Sequence, residues 1–243
     1  MFDIACIVTR GNSPHSHDDR AVICGKIIEE GEYHIETDSV LAVVCDGVSG
    51  EKYGDAAAQM AVEYFSDLPL EIPDEKGIEV HIRTINDAII SEQRTDLSKK
   101  NMATTIAGLY LVGESYMAFN MGDSSIFRYR MNCLSKISED HTLCEEMRSI
   151  GMEAKPYEQH VITRSLGGNI NELPYIDNGI DRLFECDSFM ICSDGITDVV
   201  SGEYIEKVLG EYNSSSEICR KLVDTALENG SNDNISIIMI RSF

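Results

Sequence analysis

Four mostly apolar runs in this chain carry an aspartate at one end. Asp46 follows LAVVC, Asp123 follows YMAFNMG, Asp194 follows FMICS, and Asp233 stands just before NISIIMI. Short apolar runs of this kind read as buried strands. Side chains at strand ends project where neighbouring strand ends can converge. Four carboxylates gathered there would repel one another strongly without a cation between them. Hard oxygen donors suit Mg²⁺ or Mn²⁺. Any one Asp-Gly pair is also an ordinary turn dipeptide, so the joint pattern, not a single residue, points to a metal centre.

The remainder of the chain supplies a sheet framework. Ile4–Val8, Ala21–Ile28 and Val40–Cys45 read as strands, followed later by Thr104–Val112, Tyr116–Met121, Ser125–Tyr129, Cys133–Ile137, Phe189–Cys192 and Ile235–Ile240. The period changes at Gly54, where Ala57, Met60, Ala61, Tyr64 and Phe65 mark one face of a helix. After Pro69 and Pro73 a second helix is expected from Gly77 to Gln93. Further helices are expected at Leu143–Ile150, Glu203–Leu209 and Glu217–Glu228, with a surface excursion over much of 142–182. Short breaks between consecutive strands predict hairpins. The expected class is α+β, a sheet sandwich covered by helices. No repeat or Gly/Ser-rich linker divides the chain, so residues 1–243 are expected to form one domain.

Composition narrows the function classes. The formal net charge is -22, which disfavours nucleic acid and anionic membrane surfaces as partners. A chain this acidic binds a phosphorylated substrate only where something reverses the sign locally, as bound metal ions do. No apolar run reaches the ~20 residues of a membrane-spanning helix, and MFDIACIVTR lacks the basic start of a secretory signal, so a cytoplasmic location is expected. The eight cysteines form no C-x-x-C pair, and Cys6, Cys24, Cys45 and Cys192 lie in apolar runs, as reduced core cysteines do. No cysteine is followed six positions later by arginine, which removes the thiolate-based phosphatase loop.

These residues carry a resemblance. VCDGVSGEKYGDAAA, MATTI, FNMGDSSIFRYR, SEDHT, MICSDGITDVV and GSNDNISIIMI resemble, in order, the D-G-x-G-G…G-x-x-A, G-T-T, G-D-S-R, D-H-[ST], S-D-G-hydrophobic-[TS]-[DE] and D-N-[IV]-[ST] elements of the type 2C metal-dependent protein phosphatases, the PPM family, in a bacterial-like form. The series runs from about residue 10 to 240. The resemblance implies a four-layer α-β-β-α sandwich with two central antiparallel β-sheets. It implies a serine/threonine phosphoprotein phosphatase using two, or with a weaker site three, Mn²⁺ or Mg²⁺ ions. In that family a metal-bridging water or hydroxide attacks phosphorus in line. Asp46, Asp194 and Asp233 would be the catalytic metal-binding set, with Asp46 bridging and the Gly47 carbonyl a further ligand. Asp123 would help hold the outer ion. Asp18 and Asp19 align with the family's N-terminal acidic pair. Residues 140–164 match the position of a variable flap, expected to be mobile and to influence substrate choice. The implied partners are a phosphorylated protein, and a serine/threonine kinase or its targets, met by a monomer.

Two positions depart from the pattern. Pro14 stands where the family's phosphate-binding arginine is expected, which leaves Arg10 or Arg20 as substitutes, Arg10 first. Ser49 stands where bacterial members usually carry glycine. The departures motivate one rival reading, a pseudophosphatase binding module of the same fold. A second rival is a metallophosphatase for a small phosphorylated metabolite. His141, after Asp140, is expected to pack and hydrogen-bond; His15 and His17 beside Asp18 and Asp19 are expected to sit in a polar loop.

Overall fold

Successive side chains of a strand face opposite sides of a sheet, and in this chain both sides are apolar. In β1 (Phe2–Thr9), Ile4, Cys6 and Val8 point one way, and Ala5 and Ile7 the other; all five are buried. In β5 (Ser39–Cys45), Val40, Ala42 and Val44 oppose Leu41, Val43 and Cys45 in the same manner. Strands apolar on both faces must be covered on both faces, which forces a layered fold.

The computed structural model describes residues 1–13, 17–48, 53–155, 160–168 and 177–242. One six-stranded sheet has the order β4 (Gly31–Thr37), β1, β12 (Ile235–Ser242), β11 (Ser188–Cys192), β8 (Ser125–Arg130), β9 (Cys133–Lys136). The other has the order β10 (Asp177–Arg182), β7 (Ser115–Met121), β6 (Ile106–Val112), β5, β2 (Arg20–Ile23), β3 (Lys26–Ile28). The strand pairs are antiparallel. A shared core containing Ile4, Val8, Val44, Leu109, Phe189 and Ile238 lies between the sheets. Helices α1 (Gly54–Ser66) and α2 (Glu75–Thr95) cover the outer face of the β5 sheet, through Phe65, Ile78, Ile82 and Ile85. Two helices cover the outer face of the β1 sheet: α5 (Gly202–Glu211) and α6 (Ser215–Glu228). Their contacts run through Ile205, Leu209, Ile218 and Leu222. The result is the expected α-β-β-α sandwich. Two short α-helices, α3 (Leu143–Ser149) and α4 (Asp194–Thr197), and a 3-10 turn at Leu97–Lys99 are also among the described residues. Among the described residues no helix is long and apolar enough to cross a membrane.

Some expectations change in detail. Ala21–Ile28 is not one strand but a hairpin, turned at Cys24 and Gly25, both with positive φ. The strand expected from Thr104 begins at Ile106, because Thr104 instead bridges Gly47 and Leu166. Cys6, Cys45 and Cys192 are buried as expected and Cys24 is half-buried, while Cys133 and Cys186 are exposed.

Register sets the site. Thr9 lies opposite Ile235, Ile237 opposite Cys192, and Cys192 opposite Ser125. In the second sheet Arg20 lies opposite Cys45 and Ile106 opposite Met121. Arg10, Asp19, Asp46, Asp123, Asp194 and Asp233 therefore all leave their strands at the same rim of the sandwich.

Candidate metal centre

Asp46 sits one residue past β5, and the neighbouring backbone fixes it. Its N–H donates to Thr105 Oγ1 at 3.1 Å. Its carbonyl accepts from the Thr105 N–H at 2.8 Å and from Thr104 Oγ1 at 2.9 Å. Thr105 Oγ1 also shares a 2.7 Å hydrogen bond with Ser124 Oγ, beside Asp123. Gly122 turns the chain into Asp123 with φ of 113°, and a Cβ there would lie 2.6 Å from Thr105 Cβ. His141 exchanges two hydrogen bonds with Gly122. Its Nδ1 accepts from the Gly122 N–H at 3.0 Å, and its N–H donates to the Gly122 carbonyl at 2.9 Å. His141 is buried and supports the Asp123 turn, in line with the packing role expected of it.

The N-terminal acidic pair reaches the same rim. Asp18 donates its N–H to Asn234 Oδ1 at 2.9 Å and accepts at its carbonyl from Gly47 N–H at 3.2 Å. Asp19 Oδ2 accepts from Ser193 Oγ at 3.0 Å, and Ser193 Oγ accepts in turn from the Ser236 N–H. Ser193 directly precedes Asp194, the first residue of α4. Asp233 Oδ1 accepts from the N–H of Asn234, whose Nδ2 donates to the Arg10 carbonyl at 3.2 Å. Gly47 packs directly on the start of α1: a Cβ on Gly47 would fall 2.4 Å from the Gly54 carbonyl carbon. Ser49, Pro14 and His15 lie outside the described residues.

The electrostatics follow from that convergence. Burial, then the carboxylates of Asp19, Asp194, Asp123 and Asp233, push the Asp46 carboxyl well above the usual range. Burial, then Asp123, Asp233, Asp198 and Asp19, do the same to Asp194. Burial lifts Asp19 to about 6, with Asp233 adding to the rise. Burial lifts Asp123 to about 6, with Asp140 and Asp198 adding and His160 opposing. Groups that resist ionisation together have a shared remedy, a cation among them.

The residues fit divalent ions. Asp18, Asp19, Asp123 and Asp194 each hold a buried carboxylate oxygen with no hydrogen-bond partner. Buried polar atoms are ordinarily satisfied, so four orphaned acceptors at one rim mark a place for an electropositive group. Asp18 is 7% exposed and Asp19 1%, so bulk water does not supply it.

The structure brings together the aspartates named from sequence. Arg10 lies at the rim with an exposed side chain. The Arg20 guanidinium is committed elsewhere: it donates to Gln59 Oε1 and to the carbonyls of His17 and Asp19. Sequence reasoning missed Asp198 and His160. Asp198 stands four residues after Asp194, within the SDGITD segment, a spacing that puts both on one helix face. His160 carried no readable signal. The proposed flap at 140–164 has its base held by β-type bonds, Leu143 N–H to the Val161 carbonyl and Thr163 N–H to the His141 carbonyl, both 2.8 Å. Residues 156–159 lie outside the described residues.

The family model described as protein phosphatase 2C matches residues 32–235. The serine/threonine phosphatase stp of Listeria welshimeri is 24% identical over 243 residues, spanning 95% of this chain and 92% of that protein. The protein phosphatase PhpP of Streptococcus pneumoniae is 26% identical over 211 residues, spanning 82% of this chain and 85% of that protein. Among solved structures, the catalytic domain of the serine/threonine phosphatase PstP in complex with two manganese ions superposes with a TM-score of 0.80 at 22% identity, covering 99% of both chains. With the rim geometry and a family match over most of its length, this chain is a member of the protein phosphatase 2C family.

Proposed function

We propose that the chain is a metal-dependent serine/threonine phosphoprotein phosphatase. The observation that carries the reading is the set of orphaned carboxylate oxygens on Asp18, Asp19, Asp123 and Asp194, beside Asp46 and Asp233. Asp46, Asp194 and Asp233, with the Gly47 carbonyl, would hold the inner pair of Mn²⁺ or Mg²⁺ ions, and Asp123 an outer one. Asp18 and Asp19 would lie behind them, Asp19 oriented by Ser193. Bound ions supply Lewis acidity, lowering the pKa of water and clamping phosphoryl oxygens.

The protein's own contribution is position. Thr104 and Thr105 fix the Asp46 backbone, Ser124 and His141 fix the Asp123 turn, and Asn234 ties Asp18 to the start of β12. Such supporting bonds keep the carboxylates aimed without rearrangement during turnover. Arg10 would steer the substrate phosphate from the rim. The whole chain would act as one phosphatase domain, monomeric and cytoplasmic, on phosphoproteins made by a serine/threonine kinase or on that kinase itself. Residues 140–164 would shape which of them enter.

The test is Mn²⁺-dependent release of phosphate from a phosphothreonine peptide. Full activity in excess chelator would remove the metal reading. No turnover with Mn²⁺ would favour the binding-module reading, and a sugar phosphate outcompeting the peptide would favour a metabolite phosphatase.

A further inference from the structure

A cavity of about 300 Å³ opens on one side of the sandwich, between β7 and β10 of one sheet and the segment that follows β9 of the other. Tyr116, Ala118 and Asn120 alternate along β7 and form its inner wall. Register sets Asp181 opposite Tyr116 and Gly179 opposite Ala118, so these two β10 positions share that face. Ile137 and Glu139 close the far side. Hydrogen bonds fix the walls. Tyr116 OH donates to Asp181 Oδ2 at 3.1 Å and accepts from Arg128 Nη1 at 3.0 Å. Asn120, 3% exposed, donates Nδ2 to the Glu139 carbonyl at 2.7 Å. The cavity adjoins the metal rim without containing any of its aspartates. Asn120 precedes Asp123 by three residues, about 10 Å at the rise of a strand. Glu139 precedes His141, which supports the Asp123 turn, by two.

We propose that this cavity receives the side chain of a lysine or arginine in the substrate, so that the chain prefers phosphoproteins carrying a basic residue about three positions from the phosphorylated one. The inference rests on the phosphatase reading above and adds a sequence preference to it. A volume of about 300 Å³ lies at the lower end of ligand pockets and suits one side chain. Ala118 and Ile137 give it apolar walls, against which the aliphatic stem of a lysine or arginine packs. Glu139 and Asp181 place carboxylates where the charged head would stay in water. An extended chain advances about 3.3 Å per residue, so about three residues span the distance from a phosphate held at the rim.

A gap between two diverging sheets, edged by solvated acids, is the alternative account. It gives no reason for Gly179. A Cβ on Gly179 would meet nothing within 4 Å among the described residues, so packing does not demand glycine there. Glycine inside a strand weakens it and often marks a place where another group approaches closely. Nor are the charges spent within the protein. Lys136 is committed to Asp140, with both contacts at 2.6 Å, and the Glu139 carboxylate has no ion-pair partner among the described residues. Arg128 reaches Asp181 at 3.5 Å from the side of Tyr116, and its single charge leaves Glu139 uncompensated. An acidic side chain entering the cavity would meet both carboxylates, in a chain whose net charge is already -22.

The test uses the full chain with Mn²⁺ and a set of alanine-based phosphothreonine peptides. A single lysine, or a single glutamate, is placed in turn at each position on either side of the phosphothreonine. Each peptide is read for kcat/KM, and for Kd by fluorescence anisotropy of a labelled copy. The wild type is expected to favour lysine over alanine about fivefold at one or two positions, and to disfavour glutamate there. Glu139→Gln removes a charge from an exposed side chain, and Gly179→Val puts a strand-compatible side chain into the cavity. Both are expected to lose the preference while hydrolysing p-nitrophenyl phosphate as the wild type does. Asp224→Asn, exposed on α6, removes a charge at a distance and is expected to keep the preference. That variant separates the cavity from the general attraction of an acidic chain for lysine. No positional preference in the wild type, a preference for glutamate, or a lysine preference unchanged in Glu139→Gln and Gly179→Val overturns the proposal. Failure of the phosphatase reading shows separately, as no Mn²⁺-dependent turnover of any peptide or of p-nitrophenyl phosphate, and the Kd series still decides whether the cavity takes the basic side chain.

Discussion

Thr105 holds Asp46 through two hydrogen bonds in opposite senses: its Oγ1 accepts from the Asp46 N–H at 3.1 Å, and its N–H donates to the Asp46 carbonyl at 2.8 Å. The hydroxyl also reaches Ser124, so one buried side chain ties the Asp46 end of β5 to the Asp123 turn. Thr105→Val keeps the shape and removes the hydroxyl. The expected result is a folded protein with Mn²⁺ affinity or kcat/KM reduced about 10- to 100-fold. An unchanged kcat/KM would show that the backbone bond alone orients Asp46.

Asp46 lies among Asp19, Asp194, Asp123 and Asp233, and burial together with these carboxylates pushes its carboxyl well above the ordinary range. Asp46→Asn therefore removes repulsion from the metal-free fold while removing the central ligand. We expect kcat to fall more than about 100-fold, against a smaller loss in Asp123→Asn, and the chelator-treated Asp46→Asn protein to melt above the wild type. Equal, small losses in both variants would contradict the bridging assignment.

The aspartate shifts also set a pH dependence. Burial holds Asp19 and Asp123 at about 6 against an ordinary 3.8. Between those values the folded metal-free chain binds more protons than the unfolded chain, so their contribution to stability falls as pH rises and is fully unfavourable above about 6. A cation offsets that cost by favouring the charged forms. The rise in Tm on adding Mn²⁺ should be larger at pH 7.5 than at pH 5. Thermal melts with and without chelator at both pH values decide the matter; an equal rise would disconnect ion binding from these carboxylates.

The parts of the fold that were legible in the sequence are those where burial dictates composition. Val40–Cys45 is apolar on both faces because a helix layer and a second sheet cover it, and such runs announce themselves. β4 did not, because Gly31–Thr37 is a sheet edge with exposed and half-exposed side chains, and GEYHIET carries charge accordingly. β10 pairs with β7 through its backbone and holds one apolar residue, Ile180, so periodicity had nothing to register. The aspartates were readable because strand ends place them in one line of sight. His160 was not, since only the tertiary fold carries it to Asp198.

Gly47 and Gly54 meet backbone to backbone at the start of α1. A Cβ on Gly54 would stand 2.9 Å from the Gly47 carbonyl carbon and 3.2 Å from its oxygen, so the peptide proposed to face a metal ion must move. Alanine is otherwise the better helix former by about 1 kcal/mol. Gly54→Ala should nevertheless lower both Tm and Mn²⁺ affinity. A Tm above the wild type, with affinity intact, would mean the Gly47 peptide yields without cost to the site.

Arg10 and Arg20 separate phosphate binding from framework. Arg10 leaves β1 at the rim, its carbonyl held by the Ser13 N–H and Asn234 Nδ2, both at 3.2 Å, while its side chain is exposed. Asn234 is also the acceptor for the Asp18 N–H, so the backbone of Arg10 is fixed relative to the aspartates, while its side chain is exposed. A guanidinium there can meet phosphate oxygens bidentately, which an ammonium cannot. Arg20 faces the other way. Its guanidinium bonds Gln59 of α1 and the carbonyls of His17 and Asp19, fastening the segment that carries the acidic pair. Arg10→Ala is therefore expected to raise KM for a phosphopeptide severalfold with Tm unchanged. Arg10→Lys should recover only part of the loss. Arg20→Ala is expected to cost about 1–3 kcal/mol of stability through the bonds it removes, with a smaller effect on KM. KM, kcat and Tm measured on the three variants distinguish the roles. An unchanged KM in Arg10→Ala would mean that the ions hold the phosphate without an arginine from this strand.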